Sequence, residues 1–344
     1  MGAVPPGGGA RAGMGAGTPA SSSAAAPTFS SVAPPRPMEP VLWPQAFDHP
    51  DWAFQIKWDG MRVLTAVGGG TVQAFNRHGL DRTRWFPELS ALPGLLGETQ
   101  AVVDGEAVAL VHGKPSFRRL MQRVRSREPA RLQAEIPVTY VVFDLLELGG
   151  RDLRHLPWEE REALLHRRVS TGGRVVIIDT VPQQGRALFA AAKQHGLEGV
   201  VGKRRDSPYV AGKSDLWRKV KCVRTEPFVV VGYRWREGRL ASLLLAAYDP
   251  DGRLVYVGNA GTGLDEATMQ ALHQVLRENA LPGPGSGPAG LLDRHRAPGG
   301  SRDIWVLPAL TVLVEFLEWT EDGKLRAPVI RGLNPVGPEQ CRLP

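Results

Sequence analysis

The chain has 344 residues, 42% hydrophobic and 22% charged, with 42 lysines and arginines against 35 acids and a formal charge of +7. Cysteine occurs only at Cys222 and Cys341, which excludes a disulfide framework and a CxxC zinc site and points to a reducing compartment. No run of 18 apolar residues is present and the N-terminus lacks the apolar core of a secretory signal, so neither a membrane span nor secretion is expected. The length suggests two domains. Residues 1–225 carry 30 basic and 21 acidic side chains, and residues 226–344 carry 12 and 14, so a polyanionic partner should meet the N-terminal two-thirds.

Residues 1–36 are built from Gly, Ala, Pro and Ser with two arginines and no acid. Such a stretch buries too little apolar surface to offset its chain entropy, so 1–37 reads as a disordered leader. Strands are expected at 54–57, 62–67 and 71–75, with Gly68, Gly69 and Gly70 as a hairpin turn, and again in the apolar, β-branched runs 101–110 and 138–145. Helices are expected at 116–124, 158–169 and 186–194, the last Ala-rich and closed by Gly196. Strands return at 200–203 and 216–221, giving an α+β domain with antiparallel sheet over 38–225.

Arg224, Thr225, Glu226 and Pro227 read as a hinge, because proline disfavours continued regular structure. Beyond it, strands at 228–235, 240–247, 254–257 and 311–319 are expected. One helix at 265–279 has Asp265 as N-cap, and a Pro/Gly-rich loop covers 281–290. This pattern over 226–344 suits a small closed β-barrel of the OB-fold type.

Six motifs stand out in chain order. Lys57-Trp58-Asp59-Gly60-Met61-Arg62 comes first, followed by Phe75-Asn76-Arg77-His78-Gly79, Asp104-Gly105-Glu106 and Phe143-Asp144. Glu198-Gly199-Val200-Val201-Gly202-Lys203 and Trp217-Arg218-Lys219-Val220-Lys221 close the series. Lys219 and Lys221 alternate along a strand and so share one face. Taken singly, each motif also fits a plain role: a strand–turn–strand, a solvated basic strand, a surface ion pair or a core phenylalanine. Arg118, Arg119, Arg123, Arg125 and Arg127 form a basic run on and after a helix, either a solvated face or a contact to a duplex backbone. No histidine shows ligand spacing.

In order and spacing the six motifs resemble the covalent nucleotidyltransferase superfamily, and within it the ATP-dependent DNA ligases, most nearly the compact ligase of bacterial non-homologous end joining. Phe316-Leu317-Glu318-Trp319-Thr320, Leu325-Arg326 and Arg331-Gly332-Leu333 resemble the same subgroup. The resemblance implies an adenylation domain followed by an OB-fold domain. It also implies an enzyme of DNA repair that seals a 5′-phosphate to a 3′-hydroxyl at nicks, with ATP and Mg2+ or Mn2+.

Lys57 would attack the α-phosphate of ATP, expel pyrophosphate and hold AMP as a phosphoramidate. An amine attacks only when neutral, and an ordinary lysine titrates near about 10.4, so neighbouring cations and metal are expected to lower it. Lys219 and Lys221 would do this and also neutralise the transferring phosphoryl group. Glu106 would lie near ribose and metal, and Glu198 would hold the divalent ion, a hard site that needs only one or two carboxylates. Phe143 would stack on adenine. Gln55, Ile56 and Lys203 complete the nucleotide-binding set with Arg62 and Arg77, which would reach ribose or the nick phosphate. Arg118, Arg119 and Arg123 join those two arginines as DNA contacts. Asp59 would support the active-site turn. Arg326 and Arg331 would cover the β- and γ-phosphates while ATP reacts, after which the OB-fold domain swings away.

Three positions depart from the family pattern: Gln55 where Glu is usual, His78 where Asn is common, and Asn334-Pro335 where charged residues often follow Gly-Leu. An amide oxygen still accepts a hydrogen bond from adenine N6. The implied partners are nicked duplex DNA and a Ku-like end-binding protein, for a monomer in the cytoplasm, at the nucleoid. An RNA ligase or capping guanylyltransferase is the first alternative; the Glu-Trp-Thr and Arg-Gly-Leu ending opposes it. A nucleic-acid-binding protein with a silent site is the second, opposed by the intact lysines and glutamates. An NAD-dependent ligase is not expected, because only about 20 foldable residues precede Lys57.

Overall fold

The computed structural model describes residues 1–2, 36–282, 288, 291, 303–320 and 322–344. The expected leader, save its ends, and most of the 281–290 loop lie outside the described residues. Among those described, no helix is long and apolar enough to cross a membrane.

Two sheets build the N-terminal part. One orders Thr71–Asn76, Met61–Gly68, Gln100–Val111, Val138–Leu148 and Arg151–Asp152, all antiparallel. Gly69 and Gly70 close its first hairpin with φ of 56° and 75°, the left-handed pair that a two-residue turn of matching twist requires. The other orders Met38–Leu42, Gly212–Lys221, Gly199–Arg204, Trp52–Ile56 and Val181–Pro182. Its first strand runs parallel to Gly212–Lys221 and was not expected, because five residues with a central proline show no alternation.

Side chains of both sheets meet between them: Leu64, Val108 and Phe143 from one, Met38, Ala53 and Trp217 from the other. Period two sends Val63 to the opposite face, where it packs with Val103 and Val142 against Leu120 of helix Phe117–Arg125 and Leu165 of helix Trp158–Arg168. Helix Gly185–Gln194 covers the second sheet, laying Leu188, Phe189 and Ala192 on Val200 and Val220.

Arg123 corrects the sequence expectation of a DNA contact. It lies three residues after Leu120 on the core-facing side of its helix and is fully buried. Its guanidinium donates to both oxygens of Glu88, at 2.5 and 2.7 Å, and to the Ile136 carbonyl at 2.9 Å. Arg118 stays exposed, and Arg119 reaches Glu135 and Gln122 at the surface. Removing one partner of a buried pair strands the other, so Arg123→Ala is expected to lose about 3–5 kcal/mol in urea unfolding. A loss below about 1 kcal/mol would mean that Glu88 finds water or another donor.

A third sheet orders Leu254–Ala260, Arg239–Tyr248, Arg224–Arg236, Asp303–Phe316 and Val329–Leu333, antiparallel throughout. It curls on itself: the Ile330 N–H donates to Thr262 O at 2.9 Å and the Leu325 N–H to Val257 O at 2.8 Å. Phe228, Leu243, Leu245, Val257, Val312 and Val314 fill it, joined by Leu272 and Leu276 of helix Glu266–Glu278. Asp265 caps that helix by accepting from the Thr268 N–H at 2.7 Å. This is the expected OB-fold barrel.

The expected hinge is instead part of a strand. Residues 224–227 pair with residues 313–316, and Pro227 is tolerated because the second neighbouring strand joins only from Val229, leaving one flank of the proline open. The change of sheet falls earlier, at Cys222 and Val223, which alone separate Gly212–Lys221 from Arg224–Arg236.

Candidate active site

Lys57 follows directly on Trp52–Ile56, and the chain then crosses through Trp58, Asp59 and Gly60 into Met61–Gly68 of the other sheet. The Lys57 N–H still donates to Gly199 O at 2.9 Å, so sheet pairing holds the backbone as far as the lysine. At Gly60 a Cβ would lie 2.3 Å from the Ala107 carbonyl oxygen, so the crossing admits only glycine. The Lys57 ammonium donates to Glu198 Oε2 at 2.5 Å, and Glu198 Oε1 lies 3.3 Å from Lys221 Nζ. One largely buried carboxylate thus serves two lysines from two strands.

Beside Lys57 opens a cavity of about 190 Å³ between the two sheets. Ile56, Phe143, Ile178 and Trp217 give it apolar walls. Gln55, Arg62, Arg77, Glu106, Lys203 and Lys219 bring polar groups to it. Arg62 is braced rather than loose: its Nε and Nη2 donate to the two oxygens of buried Asp104 at 2.5 and 2.6 Å, and Nη2 also reaches Met38 O at 3.1 Å. Asp104 accepts from the Tyr209 hydroxyl as well, at 2.5 Å. So held, the Arg62 guanidinium lies 4.5 Å from the Phe143 ring centroid. Lys203 donates to the Phe143 carbonyl at 2.9 Å and sits 4.2 Å from the Trp217 ring centroid.

The electrostatics follow from burial. Burial pulls the Lys203 amine down to about 7, against the pull of Asp144 and Asp104. Burial, then the charges of Lys57 and Lys221, lower Lys219 from the ordinary lysine value. Burial opposes the Arg62 charge, yet Asp104 raises that guanidinium above the ordinary arginine value. Burial lifts the Glu106 carboxyl to about 7; Lys57 and Arg62 oppose the rise and Glu198 adds to it.

A carboxyl raised on folding holds its proton more tightly in the native state. The Glu106 contribution to stability is therefore fully present in acid and is lost as pH rises from the ordinary carboxylate range through about 7. Glu106→Gln is expected to remove that slope from a plot of Tm against pH between about 4 and 8. An unchanged slope would assign it to another group.

Nine of the expected residues thus line one cavity: Gln55, Ile56, Lys57, Arg62, Arg77, Glu106, Phe143, Lys203 and Lys219. Lys221 stands at Glu198, which lines a second cleft of about 380 Å³ between the sheets and the barrel, with Asp59, Lys193 and Arg224. Arg326 reaches Asp59 from the barrel side of this cleft, Nη2 to Oδ1 at 2.7 Å, and also holds Glu318 at 2.8 Å. Arg331 does not join them. Its fork lies on Glu315 of the neighbouring barrel strand, at 3.0 and 2.7 Å, and it does not line the cleft in this structure. The sequence singled out Asp104 in a motif with Glu106 but gave it no role, although it lies two residues before Glu106 and so on the same strand face. Sequence reasoning missed Tyr209 and Thr180, which carry no local signal. Among the described residues, no group of three or more His, Cys, Asp or Glu side chains could hold a metal ion.

The family model of the ATP dependent DNA ligase domain matches residues 43–221, more than half of the chain, and that of the ATP dependent DNA ligase C terminal region matches residues 236–336. The chain belongs to the ATP-dependent DNA ligase family. Among relatives, the multifunctional non-homologous end joining DNA repair protein LigD of Mycobacterium tuberculosis is 36% identical over 291 residues, covering 83% of this chain and 36% of that protein. LigD of Pseudomonas aeruginosa is 33% identical over 294 residues, covering 83% of this chain and 34% of that one. The chain thus spans about a third of the length of the LigD relatives it matches. Among solved structures, mycobacterial DNA ligase D complexed with ATP and MES is 33% identical with a TM-score of 0.52, covering 89% of this chain and 97% of that one. The ligase domain of M. tuberculosis LigD is 32% identical with a TM-score of 0.51, covering 90% and 98%. The two family matches fall on either side of Cys222 and Val223, where the sheets change.

Proposed function

We propose that the chain is an ATP-dependent DNA ligase that adenylylates Lys57 and seals 5′-phosphate/3′-hydroxyl nicks in duplex DNA, acting in bacterial end joining. The observation that carries this reading is the Lys57 amine, paired with Glu198 at the mouth of a cavity with aromatic and cationic walls. Family membership and the LigD relatives support it.

In the first transfer the Lys57 lone pair attacks the α-phosphorus, the bond to the β-phosphate oxygen breaks and pyrophosphate leaves. The Lys57 ammonium must give up a proton beforehand, and the Glu198 carboxylate, 2.5 Å away, is the acceptor within reach. Lys219 and Lys221 bring positive charge to the transferring phosphoryl group. Phe143 offers the base a stacking face, with Ile56 and Trp217 beside it, and Lys203 fixes the Phe143 backbone from below. Arg62, held by Asp104, and Arg77 are the cations for ribose and the nick phosphate, and Arg118 and Arg119 extend toward the duplex. AMP then passes from Lys57 to the 5′-phosphate, and the 3′-hydroxyl displaces it.

Mg2+ or Mn2+ fits the pair Glu106 and Glu198, two carboxylates close enough that one raises the proton affinity of the other, and when bound it would neutralise phosphate charge. A Ku-like protein would bring the monomer to double-strand ends in the nucleoid.

The test is incubation with α-labelled ATP or GTP and then with nicked duplex. Label that reaches the protein from ATP and passes to the nick before sealing is the expected result. Label from GTP alone would indicate a capping enzyme, and no label a binding protein with a silent site.

The tie between Arg326 and Asp59 joins the barrel to the lysine's own loop. Arg326→Ala is expected to slow adenylylation by ATP about 10- to 100-fold, the worth of a charge-assisted hydrogen bond, and largely to spare sealing of a pre-adenylylated nick. Asp59→Ala should add little to it in a double-mutant cycle. Additive losses would separate the two residues.

A further inference from the structure

We propose that Thr180 sets the purine selectivity of this pocket, by holding the Gln55 amide with its carbonyl oxygen toward the base. The assignment rests on the nucleotide reading above and names the residue that decides which nucleotide is taken.

Gln55 carries the only side-chain amide among the residues that line the cavity; the other polar groups there are charged or indole. It lies two residues before Lys57, hence on the same side of the strand and about 7 Å along it. A nucleotide whose α-phosphate meets Lys57 therefore presents its base toward Gln55, between the apolar walls. Gln55 is 2% exposed, so its amide must find partners inside the protein or on the ligand.

One partner is in place. Gln55 Nε2 donates to Thr180 Oγ1 at 2.9 Å. Thr180 directly precedes Val181–Pro182, and Val181 pairs with Phe54, the neighbour of Gln55. Adjacent strands thus fix both ends of the bond. With Nε2 engaged, Oε1 is left to meet the base. A carbonyl oxygen accepts from the 6-amino group of adenine and repels the 6-oxo group of guanine or hypoxanthine. Turned over, the amide would present its NH2 group and suit a 6-oxo purine. A carboxylate at this position has no such second face. The selectivity of this chain therefore depends on what holds the amide, and the structure gives that task to Thr180, a positioning residue.

The experiment uses the full chain and compares adenylylation with inosylation, from α-labelled ATP and α-labelled ITP, as the ratio of second-order rate constants. Wild type is expected to favour ATP. Thr180→Val, which keeps shape and removes the acceptor, should lower the ATP:ITP ratio about tenfold, the effect of one hydrogen bond. Thr180→Ser should retain it. In a Gln55→Glu background, Thr180→Val should leave the ratio unchanged, because both carboxylate oxygens accept. A ratio unaltered by Thr180→Val alone, while ATP still labels the protein, overturns the assignment and leaves the nucleotide reading standing. So does an equal fall in the Gln55→Glu background, which would mark a structural role for Thr180. No labelling of wild type from either nucleotide overturns the nucleotide reading and this assignment with it.

Discussion

Lys57→Ala protein incubated with α-labelled ATP is expected to carry no label through denaturing electrophoresis. The substitution removes the amine assigned as nucleophile, and the remaining lysines of the site sit on other strands. The fold should survive, because Glu198 keeps Lys221 as a partner at 3.3 Å. Lys57→Arg is the sharper test. It preserves a cation for Glu198, yet a guanidinium does not deprotonate in a protein and cannot attack. Both variants should still seal a nick that already carries AMP, since that substrate arrives past the step they lack. Stable label on Lys57→Ala would place the nucleophile elsewhere.

Glu198→Ala has the next largest expected effect. Its carboxylate holds Lys57 at 2.5 Å and Lys221 at 3.3 Å, and its side chain is 8% exposed, so water replaces it poorly. Without it two ammonium groups face each other across the gap, and a divalent ion bound there would lose one of its two proposed carboxylates. Adenylylation and sealing should both fall by about 100- to 1000-fold, since in the proposed reaction each would move a phosphoryl group past the same carboxylate. Glu198→Asp, one methylene shorter, should recover part of the loss. Rates within about threefold of wild type, under about 1 kcal/mol of barrier, would remove Glu198 from the chemistry.

The strands that carry the site were legible because alternation is a local property: Val63 and Leu64 divide between two cores as their period requires. The order of short motifs likewise reached the family. What stayed hidden depends on partners far away in the chain. Arg123 reads as one of five arginines until Glu88 is seen beneath it; helical spacing after Leu120 was the available signal. Arg331 looks equivalent to Arg326 until the barrel register sets Glu315 next to the one and the crossing loop brings Asp59 to the other. Pro227 breaks a strand on propensity, but an open flank removes the penalty. Thr180 lies 125 positions from Gln55 and belongs to no motif, so only the folded sheet shows that they meet.

The two-residue join between the second sheet and the barrel also limits how these parts can travel. The Cys222 N–H is pinned to the Glu198 carbonyl at 2.8 Å, and Arg224 is already paired with Phe316 inside the barrel. Each residue offers two soft torsions, so the degrees of freedom between these anchors are a handful of angles about Cys222 and Val223. A barrel mounted this way would turn on an arc, with little slack for sliding or for drifting clear. The pin of that pivot is the backbone of Glu198, whose side chain touches Lys57. A rotation of the barrel about this join would therefore bear on the nucleophile through a single residue.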